Sequence, residues 1–341
     1  KLVEIQKHLW STLVQVNQVG SECWITFDGW SKIISKDGRL INNPKKFEEV
    51  VDIVDVENCN EDYSHNYQDV ESKEDTLQAL KLWLKDYLEK RNIKDVVIGI
   101  SWGMDSALDL AIMAQVISPD HIHAIYMPTK FNAQESLSLS QQLADNLWVE
   151  LKVGPIQDLV ISYEKFAEQY LWKKLEWVSH ENVQARIRWN ILMNLWNDFN
   201  AMIVNNSNKT ELELWYWTLY GDLIGGLCLI WDLKKTEVYE LAKYINKDEE
   251  IIPWWIITRK ASAELSEWQV DPFNYDRDCD PVDDLAFGKS IEEVAEKYQL
   301  PKEYLESLQK RITRSRFKAA QLPPILKVSD HTIRHWTQNP F

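Results

Sequence analysis

Glycine is scarce in this chain. It has 10 glycines in 341 residues, where an ordinary globular composition of about 7% would supply roughly 24. Cysteine is sparse too. Cys23, Cys59, Cys228 and Cys279 are widely spaced with no CxxC pair, so neither a zinc site nor a disulfide framework follows, and reduced structural thiols are expected. No apolar run approaches the roughly 18 to 20 residues of a membrane span, and the opening KLVEIQKHLW has no signal-peptide pattern. A soluble, cytoplasmic protein with no membrane partner is the expectation. Basic residues are outnumbered, 38 Lys and Arg against 53 Asp and Glu for a net charge of −15. That argues against a broad grip on nucleic acid and leaves room only for a local basic pocket.

What is abundant is tryptophan, at 17 residues. The glycine shortfall is about the size of the tryptophan surplus. Apolar residues make up 45% of the chain, enough for a sizeable core in one large domain or two ordinary ones.

Alternating apolar residues in LVQVNQV, ITFDGWSKIIS and EVVDIVDVE predict consecutive β-strands over residues 1–57, with a turn at KDGR. The polar, acidic and aperiodic stretch at 58–75 reads as a linker. Helical spacing of Leu77, Leu80, Leu84 and Leu88 follows, then the strand VVIGI and a helix starting near Ser106. Further strands are expected at HIHAIYMP, VELKVGPI, NAMIVNN and LCLI. Helices are expected from about Ser136 to Leu147, Asn182 to Phe199 and Lys235 to Ile245, and the segment from Ile291 to Gln321 looks helical. Alternation of strand and helix predicts an α/β fold whose parallel sheet is covered on both faces.

The segment VVIGISWGMDSAL joins a strand to a helix through small residues. Such a loop aims backbone N–H groups and the positive end of a helix dipole at one point, which suits a pyrophosphate. Its hydroxyls can donate to phosphate oxygens, and Asp105 can hold a Mg²⁺ bound to them. The competing reading is an ordinary helix start capped by Ser101 or Asp105.

Downstream segments bear on that choice. SWGMDSAL, ENVQARIRWNILMN, SNKTELELWYWTLYGDLIGG, WDLKKTEVYELA, RKASAEL and QLPPILKVS occur in this order over about 230 residues. Together they resemble the NAD synthetase family, in particular the synthetase domain of its glutamine-dependent members. The SGGxDS loop alone would also fit GMP synthetase, asparagine synthetase or a tRNA-modifying ATP-pyrophosphatase. VNQVG and ITFDGWS resemble the last strands of the nitrilase-type glutaminase domain fused ahead of that synthetase. The resemblance implies a five-stranded parallel sheet with helices on both faces, adenine-nucleotide alpha-hydrolase-like and Rossmann-like, at 76–341, behind a partial glutaminase segment at 1–57. The family's Glu, Lys and Cys glutaminase triad would then lie upstream of Lys1, and no glutaminase residue is assigned.

The implied reaction converts deamido-NAD⁺, ATP and ammonia into NAD⁺, AMP and pyrophosphate through an acyl-adenylate. Ammonia comes from glutamine where a complete glutaminase domain supplies it. No side-chain nucleophile is required, so the protein positions substrates and neutralises charge. By resemblance, ATP meets Gly99, Ser101, Trp102, Gly103, Asp105, Ser106, Asn206, Lys235 and Ser262. Asp105 and Glu211 hold Mg²⁺, and Asp105 and Lys235 stabilise charge. Deamido-NAD⁺ meets Asn182, Arg186, Glu211 and Lys318. Outside that resemblance, Arg186 reads as a surface ion pair and Lys318 as a solvated charge. Asn206 stands where the family commonly has threonine, and Ala319 and Ala320 where it often has arginine. A homodimer or larger homo-oligomer is also implied.

Trp30, Trp102, Trp148, Trp189, Trp215 and Trp231 fall where the resembling family has glycine. Glycine serves where φ is positive or backbone approaches closely, and an indole at position 102 would stand beside the triphosphate. Two readings compete. The substitutions are real and the protein is impaired, or UGA codons read as glycine in the host have been translated as tryptophan.

Overall fold

A strand buried on both faces is apolar along most of its length, and VVIGI, IHAIY and MIVN come close, interrupted only by His123 and the terminal Asn205. In the computed structural model, which describes residues 2–22, 25–64, 72–132, 134–261, 264–266, 271–314 and 318, these runs form the centre of a parallel sheet. The chain divides into two compact units, Lys1–Tyr87 and Leu88–Phe341.

The first unit opens with helix α1 (Leu2–Leu9), followed by β1 (Leu13–Gln15), β2 (Val19–Glu22), β3 (Ile25–Asp28) and β4 (Lys32–Ile34). β1 pairs antiparallel with β4, setting Leu13 opposite Ile34, and β2 pairs with β3, setting Val19 opposite Asp28. Helix α2 (Lys73–Glu89) buries Leu77, Leu80, Trp83 and Leu84 on one stripe, the spacing its leucines predict. The strand expected at EVVDIVDVE does not form: residues 48–55 are irregular, with Val51 and Ile53 almost fully exposed. Alternation makes a strand only where a partner edge takes its backbone hydrogen bonds, and this segment has none among the described residues.

The second unit alternates strand and helix. It runs β5 (Val96–Ile100), α3 (Met104–Met113), β6 (Ile122–Tyr126), α4 (Gln134–Asn146), β7 (Leu151–Val153), α5 (Gln157–Tyr170), α6 (Val178–Phe199), β8 (Met202–Asn205), α7 (Lys209–Glu213), β9 (Leu227–Cys228), α8 (Lys235–Ile245), α9 (Trp254–Thr258), α10 (Tyr275–Ala286), α11 (Ile291–Tyr298) and α12 (Lys302–Arg314). All five strands are parallel, in the order β7-β6-β5-β8-β9. Val97, Ile125 and Ile203 face α5 and α6, where they meet Val160, Ile187 and Leu192. Alternation sends Val96, Ile98 and Ile100 to the opposite face, where α3 packs between β5 and α8. Helices therefore cover both faces, as the alternating sequence pattern requires. Beyond the sheet, α10, α11 and α12 share a core of Val282, Leu285, Val294, Leu305, Leu308 and Ile312.

The chain leaves β5, builds outward through β6 and β7, then returns to the other side of β5 with β8. That reversal opens a crevice at the carboxyl ends of β5 and β8, where ligands bind in sheets of this kind. Two glycines seat the return into β9. Gly225 has φ +124° with the Ile203 carbonyl 2.8 Å from where a Cβ would stand, and a Cβ on Gly226 would lie 1.7 Å from the Met202 sulfur. No other residue fits both.

Candidate active site

The loop after β5 is braced from within. The Ser106 hydroxyl donates to the carbonyls of Ser101 and Gly103 at 2.9 and 3.1 Å and accepts from the Ser101 N–H at 3.2 Å. The Gly103 N–H donates to Ser101 Oγ at 3.0 Å. Ser106 is buried and stands behind the cavity wall, holding the loop in shape. Neither Ser101 nor Asp105 caps the helix: the cap is Gly103, which has no side chain to offer. The first turn of α3 therefore keeps its N–H groups clear of any side-chain cap, as an anion site requires.

Asn206, at the end of β8, donates from Nδ2 to the Gly99 carbonyl at 2.7 Å and so ties the ends of β5 and β8 together. Its Oδ1 is buried with no hydrogen-bond partner among the described residues. Asn208 caps α7 by accepting from the Glu211 N–H at 3.1 Å, and its Nδ2 donates to Asp105 Oδ1 at 2.9 Å. The same side chain thus aims α7 and fixes Asp105.

The charged centre joins three elements. Lys235, at the start of α8, donates from Nζ to Asp105 Oδ2 and, at 3.3 Å, to Glu211 Oε1. Its side chain is only 4% exposed. Burial works against its charge, but the two carboxylates outweigh burial and hold the ammonium well above its usual range. Glu211 shows the counterpart: burial and the charge of Asp105 push it up to about 8, with Lys235 opposing. Two carboxylates on one ammonium leave an excess of negative charge, and Glu211 is the group that feels it.

These groups line a cavity of about 680 Å³ whose wall includes Gly99, Ser101, Trp102, Gly103, Asp105, Asn206, Glu211 and Lys235 together with Asn182, Arg186 and Lys318. On α6, Asn182 Oδ1 accepts from the Thr218 hydroxyl at 2.8 Å, and Arg186 Nε donates to the Leu219 carbonyl at 3.2 Å. Arg186 thus holds a backbone carbonyl, and among the described residues it forms no surface ion pair of the kind that stood as its alternative. Nor is Lys318 a solvated charge. It is half-buried, donates to the carbonyls of Trp215 and Trp217 at 2.9 and 2.6 Å, and is lowered by that burial. Ser262 lies outside the described residues, as do Ala319 and Ala320.

Trp102 is nearly buried, its indole N–H donating to Glu264 Oε2 while the Arg259 guanidinium lies 3.6 Å from its ring centre. Glu264 also accepts from Asn132 Nδ2 at 3.0 Å, the Ser136 hydroxyl at 3.1 Å and Arg259 at 3.2 Å. Neither Glu264 nor Arg188 stands out in the sequence, although both lie in matched segments. Arg188 lines the cavity, donates to the Met127 carbonyl at 3.0 Å and is brought down to about 10 by burial. An arginine two positions after Arg186 on a helix reads as facing elsewhere, and only the cavity wall brings it in.

A sequence profile of the NAD synthase family matches residues 76–322. The glutamine-dependent NAD(+) synthetase of Synechocystis sp. is 32% identical over 333 residues, which is 94% of this chain and 59% of that protein. The chain spans about half the length of other curated relatives it matches, such as the 51% it covers of the Acinetobacter baylyi glutamine-dependent NAD(+) synthetase. Among solved structures, the glutamine-dependent NAD+ synthetase of Acinetobacter baumannii in complex with ADP superposes with a TM-score of 0.67 at 27% identity. It covers 97% of this chain and 61% of that one. With the profile spanning most of the residues that build the sheet and the cavity, the chain belongs to the NAD synthase family.

Proposed function

We propose that the second unit amidates deamido-NAD⁺ to NAD⁺, consuming ATP and ammonia and releasing AMP and pyrophosphate. The observation that carries this reading is one cavity whose lining combines a phosphate-type set, the loop after β5 and Lys235, with the polar groups Asn182, Arg186 and Lys318. Two nucleotides set toward each other there place a nicotinate carboxylate against the α-phosphorus of ATP. The carboxylate displaces pyrophosphate to give an acyl-adenylate, and ammonia then displaces AMP. The chain's part is positioning and charge neutralisation. Lys235 exchanges its carboxylate partners for ATP phosphates, and the open acceptor on Asn206 suits a donor such as a ribose hydroxyl.

Mg²⁺ fits this donor set. The described residues hold no group of three or more His, Cys, Asp or Glu able to bind a metal alone, but Asp105 and Glu211 converge on one cation already. Mg²⁺ is characteristically held by one or two carboxylates plus substrate phosphates. When bound it supplies charge neutralisation at the phosphates.

Residues 1–57 are assigned to the end of a nitrilase-type glutaminase domain, 58–75 to a linker and 76–341 to the synthetase. Glutamine is then the ammonia source where that domain is complete. A homodimer finds support in α5, whose Leu159, Tyr163, Phe166 and Tyr170 recur at helical spacing and are about half exposed.

Trp102 favours a second reading, an inactive homologue, because the indole fills space beside the loop. Assaying the chain and its Trp102→Gly variant for AMP release separates the two. Release that requires both deamido-NAD⁺ and ammonia, with one NAD⁺ per AMP, supports the synthetase. AMP release independent of deamido-NAD⁺, or none from either form, refutes it.

A further inference from the structure

Eleven non-glycine residues among those described have positive φ, and five are tryptophan: Trp10 (51°), Trp148 (59°), Trp172 (52°), Trp177 (49°) and Trp215 (52°). Tryptophan supplies only 17 of the 341 residues, so chance placement would put fewer than one there. A side chain in this region crowds its own backbone carbonyl, and for a bulky residue it is an outlier.

Local hydrogen bonds show what the backbone is doing. After α4, the Val149 N–H donates to the Ala144 carbonyl at 2.9 Å and the Trp148 N–H to Asp145 at 3.1 Å. After α7, Tyr216 donates to Glu211 at 2.8 Å and Trp215 to Leu212 at 2.9 Å. Each pair closes a Schellman motif, with tryptophan in the left-handed position that glycine usually holds. Trp10 and Trp172 stand just past the ends of α1 and α5 with the same sign of φ. Trp177 differs, with φ 49° and ψ −125°. With Ser179 donating to the Glu176 carbonyl at 3.1 Å, it takes the first central position of a type II′ turn, again a glycine position.

Packing does not account for four of the five placements; Trp215, 3% exposed, packs in a core with Leu212, Trp217 and Trp231. Trp10, Trp148, Trp172 and Trp177 are 86%, 86%, 88% and 85% exposed, so their indoles gain almost nothing from burial. Elsewhere the chain meets the same need with asparagine, at Asn92 and Asn200, the ordinary substitute for glycine in left-handed backbone. Trp83 is the contrast. It lies inside α2, 1% exposed, with its ring centre 5.2 Å from that of Tyr87, a position that calls for a large aromatic.

We propose that positions 10, 148, 172, 177 and 215 are glycine in the protein made by its own host, because their codons are UGA, decoded there as glycine, while position 83 is tryptophan encoded by UGG. This rests on backbone geometry and is independent of the proposed reaction.

The gene sequence at these six codons, with tandem mass spectrometry of the protein purified from its host, tests it. UGA with glycine at the five positions, and UGG with tryptophan at 83, is the expected result. UGG at the five codons, or tryptophan in their peptides, overturns the proposal. The physical premise is tested on the recombinant full chain by comparing Trp148→Gly with Trp148→Ala. Alanine retains the offending Cβ, so the glycine variant should melt higher by about 2–4 °C. An equal or lower midpoint for glycine overturns the backbone argument.

Discussion

Lys235→Met removes the charge that joins α3, α7 and α8 while keeping most of the side chain's length. Asp105 and Glu211 are then left facing each other, with side chains 13% and 19% exposed. Removing one partner of a buried ion pair costs about 3–5 kcal/mol, because the remaining charge stays desolvated; here Glu211, already pushed up to about 8 with Lys235 opposing, must take up a proton, and Asp105 keeps an uncompensated charge. Urea unfolding at pH 8 should show a loss of that size. Mg²⁺ should stabilise the variant more than the parent, by up to about 2.7 kcal/mol at a hundredfold excess over its dissociation constant, since the ammonium no longer competes for the same oxygens. Adding Glu211→Gln should return more than about 1 kcal/mol, as coupled neighbours do. ATP affinity, read by calorimetry, should fall about 10-fold to 100-fold with the loss of a charged hydrogen-bond donor. A variant within about 1 kcal/mol of the parent that binds ATP equally well would refute both the structural and the binding role of Lys235.

Glu264→Ala strands the donors of Asn132, Ser136 and Arg259. It should cost about 2–4 kcal/mol in urea unfolding, and a neutral result would show that these bonds do not hold the cavity wall. Phe166→Glu on α5 should shift the chain toward monomer by light scattering with its far-ultraviolet spectrum unchanged, whereas an unchanged oligomer places the interface elsewhere. Asp284 accepts from Lys289, Lys297 and Tyr298 at 2.6, 2.8 and 2.9 Å. Burial works to raise it, and these bonds together outweigh burial and hold it below the usual range. Its stabilisation is therefore present above the ordinary aspartate range and lost as pH falls through the lowered value. Asp284→Asn should cost about 1 kcal/mol at pH 7, and the difference should vanish in strong acid.

The central strands β5, β6 and β8 were legible because burial on both faces makes their sequences mostly apolar, whereas the edge strand β7 carries Lys152 and an exposed Val153; α8 kept the bounds its periodicity predicts. Helix α5 was not legible. Its regularly spaced Leu159, Tyr163, Phe166 and Tyr170 point outward while Val160 and Ala167 are buried, so its apolar pattern does not mark a single core face. Pro281 lies inside α10 and hides that helix for a different reason, since proline ordinarily ends one. In the site, most residues with a chemical signature in a matched segment line one cavity, with Ser106 behind its wall and Ser262 outside the described residues. Glu264 is different, because its meaning depends on Asn132, Ser136 and Trp102, more than a hundred positions away, and no local pattern records that.

The four indoles that stand in nearly full contact with water also bear on how the molecule handles in solution. Each is a large apolar surface at the tip of a turn, free to meet another molecule, and surfaces of this kind favour association and precipitation. A chain produced with tryptophan at those turns should therefore be markedly less soluble than one with glycine there. Precipitation of the recombinant protein would then report on four exposed side chains and carry no information about the fold of the chain beneath them.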